Sequence, residues 1–171
     1  MNPRGMGINA HRTIDGDLDA FARELAAFQR MGFDYVEVPV HGLDVVLNGK
    51  VNHRRAAQVE AVMAAVPIRY TVHLPNRLNL CHVDDYDDHL AVFRACLEFT
   101  CLVGAELAVY HAGAVPGHPP AAALQRAKDV EVRGLREMAD LAARWEVQIG
   151  VENANIEPPV ALGRRYAYGA F

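Results

Sequence analysis

The chain has 171 residues, 51% of them hydrophobic and 22% charged, with a formal net charge of −4. That is room for one sizeable core in a single domain over 1–171; it excludes a disordered chain, and it offers no global attraction for nucleic acid. Three cysteines without CxxC spacing exclude a disulfide framework; with no apolar leader and no apolar run of the ~18 residues a membrane span needs, a cytoplasmic protein is expected.

In chain order, the first strand-like segment is Met6–Ala10. A helical stripe follows in which Leu18, Phe21, Leu25 and Phe28 fall on one face. Asp17 stands where an N-cap accepts backbone N–H groups, and Gly32 where a helix end turns left-handed. A second strand is predicted over Tyr35–Val40, a weaker helix over about His53–Ala65, and a third strand over Ile68–His73. Asp85 is the expected N-cap of a helix with the stripe Leu90, Phe93, Leu97 and Cys101, closed by Gly104. Leu107–His111 is the fourth strand. Leu135, Met138, Ala142 and Trp145 mark a helix before a fifth strand at Val147–Glu152. In the Tyr/Gly-rich tail after Pro158-Pro159 no element is predicted.

Strands alternating with helices at this spacing make βαβ units and a parallel sheet. In the third strand Ile68, Tyr70 and Val72 oppose Arg69, Thr71 and His73; in the fifth, Val147, Ile149 and Val151 oppose Gln148, Gly150 and Glu152. A doubly wound sheet buries both faces and reads as continuous apolar runs, and its GxGxxG turn is missing from Gly-Ile-Asn-Ala-His-Arg-Thr. The expected fold is therefore α/β, a (β/α)8 barrel of the TIM type. A whole barrel takes about 250 residues, so only about the first five β/α units are expected: a partial barrel, from a fragment, a truncated product or half of an assembly. Its unpaired first and fifth strands would invite association, including with a second copy.

In this fold chemistry sits at the C-terminal strand ends, where the chain places His11, His41, His73, His111 and Glu152. Two imidazoles and a carboxylate suit a divalent cation such as zinc or manganese, and strand parity turns His73, His111 and Glu152 inward. A carboxylate at the end of a buried strand is costly unless paired or metal-bound. His11 and His41 are expected as pocket or substrate contacts. His53, His89 and His118 are expected to be solvated, and Asp84, Asp85, Asp87 and Asp88 to form a solvated capping run. Arg164 and Arg165 are expected on the surface, and no partner spacing supports Cys81 as a nucleophile.

At Thr71-Val72-His73-Leu74-Pro75, Val109-Tyr110-His111-Ala112-Gly113 and Gly150-Val151-Glu152-Asn153 the chain resembles the xylose isomerase-like TIM-barrel superfamily. That group holds sugar-phosphate isomerases and epimerases and the endonuclease IV-like AP endonucleases. The resemblance implies that Glu152 ligates the metal (Zn, Mn, Co or Mg) and moves a proton. It implies that His73 and His111 bind metal, as in the endonuclease branch, or contact substrate, as in many epimerases. Glu37 and Asn153, with His11 and His41, would line the substrate pocket. The family's later-strand Asp, His and second Glu have no counterpart here, so a site inactive on its own is implied. The expected function is a metal-dependent isomerase or epimerase of a small sugar or sugar phosphate. The alternatives are a zinc phosphodiesterase acting on abasic DNA, against which the missing basic stripe weighs, and a non-catalytic partial barrel.

Overall fold

The computed structural model describes residues 5–10, 16–117, 119–152 and 166–168. Five parallel strands form the central sheet: β1 (Gly7–Asn9), β2 (Tyr35–Pro39), β5 (Arg69–His73), β6 (Leu107–His111) and β8 (Gln148–Glu152), in the order β1-β2-β5-β6-β8. Order along the chain equals order in space, with no reversal. A doubly wound sheet changes direction at a switch point; this one advances steadily, as the wall of a barrel does. Among the described residues β1 and β8 are its edges.

Four helices fill the crossovers: α1 (Leu18–Arg30), α2 (His53–Ala64), α3 (Tyr86–Leu102) and α4 (Ala121–Arg144). Asp17 caps α1, accepting from the N–H groups of Asp19 and Ala20 at 2.9 Å, and these bonds hold its carboxyl below the usual range. Gly32 and Gly104 take φ of +83° and +66° just beyond α1 and α3, where a side chain would be strained. Asp85 occupies the N-cap position of α3 without capping it; its Oδ2 stands 3.2 Å from His82 Nδ1 instead.

Parity divides the sheet as the sequence predicts, except at the end of β8, where Val151 is exposed instead of covered by a helix. Val36, Val38, Val72, Ala108 and Tyr110 are buried under the helices with Phe21, Leu25, Phe93 and Met138, and Phe93 stacks on Tyr110 with centroids 5.1 Å apart. Tyr35, Glu37, Thr71, Leu107 and Gln148 line a concave cavity of about 540 Å3 on the other face. Arg69, the register partner of Tyr35 on β5, sets its guanidinium 3.8 Å from the centre of the Tyr35 ring.

Three local features depart from the sequence reading. The predicted stripe on α3 is too narrow: Ala95, Cys96, Phe99 and Thr100 are buried and Cys101 is exposed. The cause is that α3 packs against both α2 and α4 and against a small hairpin, so it has more than one buried side. That hairpin, β3 (Val46–Leu47) and β4 (Lys50–Val51), turns at Asn48-Gly49 with φ of +50° and +69°, the geometry that favours Asn-Gly. The third is in the tail, where β9 (Tyr166–Tyr168) pairs antiparallel with β7 (Ala114–Pro116), directly beyond the end of β6. Among the described residues no helix is long and apolar enough to cross a membrane.

Candidate metal centre

Three sheet strands end in side chains that meet at one rim. His111 closes β6 opposite Glu152 at the end of β8, and His73 closes β5 opposite Val109. Residues two apart share a strand face, so His73, Val109, His111 and Glu152 all turn inward, with His73, level with Val109, one inward step below His111 and Glu152. His73 Nε2 lies 3.0 Å from His111 Nε2, which lies 3.1 Å from Glu152 Oε2. His73 Nε2 and Glu152 Oε2 are 4.0 Å apart.

The protonation pattern of the first imidazole follows from its neighbours. His73 is 7% exposed, and its Nδ1 stands 2.7 Å from the Leu74 carbonyl oxygen. A carbonyl only accepts, so Nδ1 carries the proton and Nε2 presents a lone pair to the rim. A backbone acceptor behind a metal-binding histidine fixes its tautomer in this way. Atoms bound to one cation at about 2.1 Å stand roughly 3.0–3.4 Å apart, and two of the three separations fall there. All three donor atoms lie within 4.8 Å of one another. Among the described residues this is the one group of three His, Cys, Asp or Glu side chains so placed, and its donor set fits a divalent ion.

Glu152 is not the buried carboxylate that the sequence suggested. Its side chain is 50% exposed, because β8 has no described strand on its far side. Desolvation therefore does not explain its position; proximity to the two imidazoles does.

His41 sits in a 3-10 turn, Val40–Gly42, just past β2. Its ring lies edge-on to His73 with centroids 6.4 Å apart, at the same rim. Glu37 is lower: it pairs in register with Thr71, accepts from Asn9 Nδ2 at 2.9 Å, and lines the concave cavity. None of the three candidate ligands lines that cavity. His11, Asn153, His118, Arg164 and Arg165 lie outside the described residues.

Behind the rim is a buried polar cluster that the strand pattern did not announce. Glu131 of α4 is 1% exposed. Its carboxylate accepts from Tyr110 Oη at 2.9 Å, from the Gly113 N–H at 2.5 Å and from Cys81 Sγ at 3.1 Å. Asn79 ties the β5–α3 loop to the same place, donating to the Ala114 carbonyl at 2.8 Å and accepting from the Ala114 N–H at 3.2 Å. Burial, and then the bond to Glu131, pushes the Cys81 thiol up to about 12, which leaves it un-ionised and a poor nucleophile. A signal for Glu131 did exist: it lies on the buried stripe of α4 with Ala127, Gly134, Met138 and Ala142, a charge where an apolar residue belongs. His89 was expected to be solvated and is not; it is part-buried and its Nδ1 accepts from the Asn79 N–H at 3.3 Å.

No curated protein sequence matches the chain. Solved structures match at low identity. A D-tagatose 3-epimerase-like protein superposes with a TM-score of 0.68 at 16% identity, over 87% of this chain and 52% of its own. The D-allulose 3-epimerase from Methylomonas sp., in complex with D-allulose, gives 0.64 at 16% identity over 87% and 51%. A xylose isomerase-like TIM barrel protein from Mycobacterium smegmatis, solved in complex with magnesium, gives 0.63 at 17% identity over 86% and 54%. The chain thus spans about half the length of these structures, and at such identities the likeness is one of fold. Residues 25–160 match the model of a protein family described as xylose isomerase-like TIM barrel, and the chain belongs to that family.

Proposed function

We propose that the rim formed by His73, His111 and Glu152 holds a divalent cation and serves a sugar, or sugar phosphate, isomerase or epimerase. The observation that carries this reading is the meeting of two imidazole Nε2 atoms and one carboxylate oxygen within 4.8 Å at the C-terminal strand ends. The names of the structural neighbours agree with it: one is a D-tagatose 3-epimerase-like protein and another a D-allulose 3-epimerase in complex with D-allulose.

His73, His111 and Glu152 would together hold the ion. A bound divalent ion polarises a carbonyl or hydroxyl oxygen and so acidifies the adjacent C–H. Glu152 is exposed enough to reach substrate and is the group that takes that proton and returns it. His41, beside His73 on the rim, contacts the sugar hydroxyls, with His11 and Asn153. Glu37 supports the pocket from below through Asn9. Inversion at carbon needs a second proton donor on the opposite face of the sugar. The ligand cluster contains one carboxylate, so proton exchange on one face is the partial reaction this rim can perform.

The test is solvent exchange. Protein loaded with Mn2+ or Co2+ is incubated in D2O with D-tagatose and D-allulose. Deuterium is expected at the carbon next to the carbonyl, and it should disappear with Glu152→Gln or with chelator. Absence of incorporation into every ketose tried, with metal bound, would overturn the isomerase reading. Chelator-sensitive cleavage of an abasic-site duplex would move the two-histidine site toward the zinc phosphodiesterase alternative.

A further inference from the structure

We infer that Glu131 is a positioning residue for His111, a buried clamp that sets where the central donor of the rim stands. The cluster brackets the ligand in sequence. Tyr110 precedes His111 and Gly113 follows it by two, and both donate to the same oxygen, Glu131 Oε1, at 2.9 and 2.5 Å. The other oxygen takes the thiol of Cys81 at 3.1 Å, and Tyr110 Oη accepts from the Leu80 N–H at 3.1 Å. The loop that leaves His73 and the turn that leaves His111 are thus fastened to one carboxylate on α4.

The packing has no slack at this point. A Cβ on Gly113 would stand 2.6 Å from Asn79 Oδ1, 2.8 Å from Cys81 Sγ and 2.9 Å from Glu131 Oε1. A buried carboxylate with three donors is rigid and expensive to disturb, since removing it leaves a buried N–H and a hydroxyl without an acceptor. Plain stability would be served by an apolar residue, as at Met138, also fully buried on α4. What the carboxylate adds is direction: it holds the Tyr110 side chain before His111 and the Gly113 backbone N–H after it, and His111 Nε2 lies within 3.1 Å of both other donors.

The inference rests on the proposed metal reading for only one of its two measurements. The first needs no metal: 1H–13C spectra of the histidine rings in the metal-free protein. Glu131→Met is expected to shift or split the His111 ring signals, leaving His53, whose side chain is 70% exposed, in place. Met138→Ala, a core lesion on the same helix, is expected to lower the melting temperature without moving His111. The second measurement is the Co2+ dissociation constant with its visible absorption. Glu131→Met should weaken binding about tenfold or more, the usual cost of losing a group that orients a ligand, and change the band shape; Glu131→Gln, which keeps an acceptor oxygen for Tyr110 and Gly113, should restore most of both. If Glu131→Met is too unstable to purify, Tyr110→Phe removes one donor of the clamp and should move His111 in the same sense. Unmoved His111 signals in these variants, or an equal disturbance by Met138→Ala, would overturn the clamp. A wild-type protein that takes up no Co2+ while its His111 responds to Glu131→Met would overturn the metal reading and leave the clamp standing.

Discussion

Removing His111 should abolish the stabilisation that a divalent metal gives this protein, while barely changing the metal-free fold. His111 Nε2 is the middle donor, 3.0 Å from His73 Nε2 and 3.1 Å from Glu152 Oε2; the two remaining donors are 4.0 Å apart. A ligand that binds only the folded state at a hundred times its dissociation constant stabilises by about 2.7 kcal/mol. For a chain of this size each kcal/mol moves the melting temperature by about 2–4 °C, so the wild type should gain about 5–11 °C. Losing a group that merely orients a ligand costs about 10–100-fold in affinity, so losing the ligand itself costs at least about 100-fold. At the same metal concentration His111→Ala is then near its own dissociation constant, where the stabilisation is about 0.4 kcal/mol, or about 1–2 °C. The assay is a thermal melt of both proteins with chelator and with Mn2+, chosen because thiolates of the unfolded chain compete less for it than for zinc. Equal metal-induced shifts in wild type and variant would refute the shared-ligand geometry.

Thiol chemistry reports the burial pattern directly. Iodoacetamide at pH 8 should label Cys101 in the native protein; Cys96 is fully buried and the buried Cys81 thiol is pushed up to about 12, so both should label only in denaturant, as read by mass spectrometry. Gly113→Ala forces a methyl group into the contacts behind the rim and should cost about 1–3 kcal/mol, seen as a fall of about 2–12 °C in the melting temperature; an unchanged melt would show that the cluster gives way. Burial, and then the charge of His82, lowers the pKa of His89 from 6.5, against Asp85 and Asp88, which raise it. A histidine with a lowered folded-state value stabilises above its unfolded pKa and loses that contribution as pH falls through about 6.5 and below. The urea midpoint of the wild type should therefore drop more between pH 7.5 and 5 than that of His89→Gln, and parallel curves would contradict this.

The hydropathy period alone determined most of the scaffold. Two-residue alternation in Ile68–His73 and Val147–Glu152 assigned the inner and outer sheet faces, and the 3.6-residue stripe of Leu18, Phe21, Leu25 and Phe28 placed α1, because burial of a face is written locally in which neighbours are apolar. The same parity put His73, His111 and Glu152 on one face, and the resemblance of their motifs named the family that residues 25–160 match. The Asn48-Gly49 turn carries the local signature of a hairpin as well. Only the tertiary structure decided which polar strand ends meet: His41 joins the rim beside His73, whereas Glu37 lies a layer lower with Asn9. Distances across strands depend on register and curvature, which no local period encodes. Nor could a stripe on α4 reveal that Glu131 reaches Tyr110, Gly113 and Cys81, since that depends on which helix packs behind which strand. Glu152 was read as buried for the same reason: exposure at a strand end is set by whatever lies on its far side, and among the described residues nothing in the sheet does.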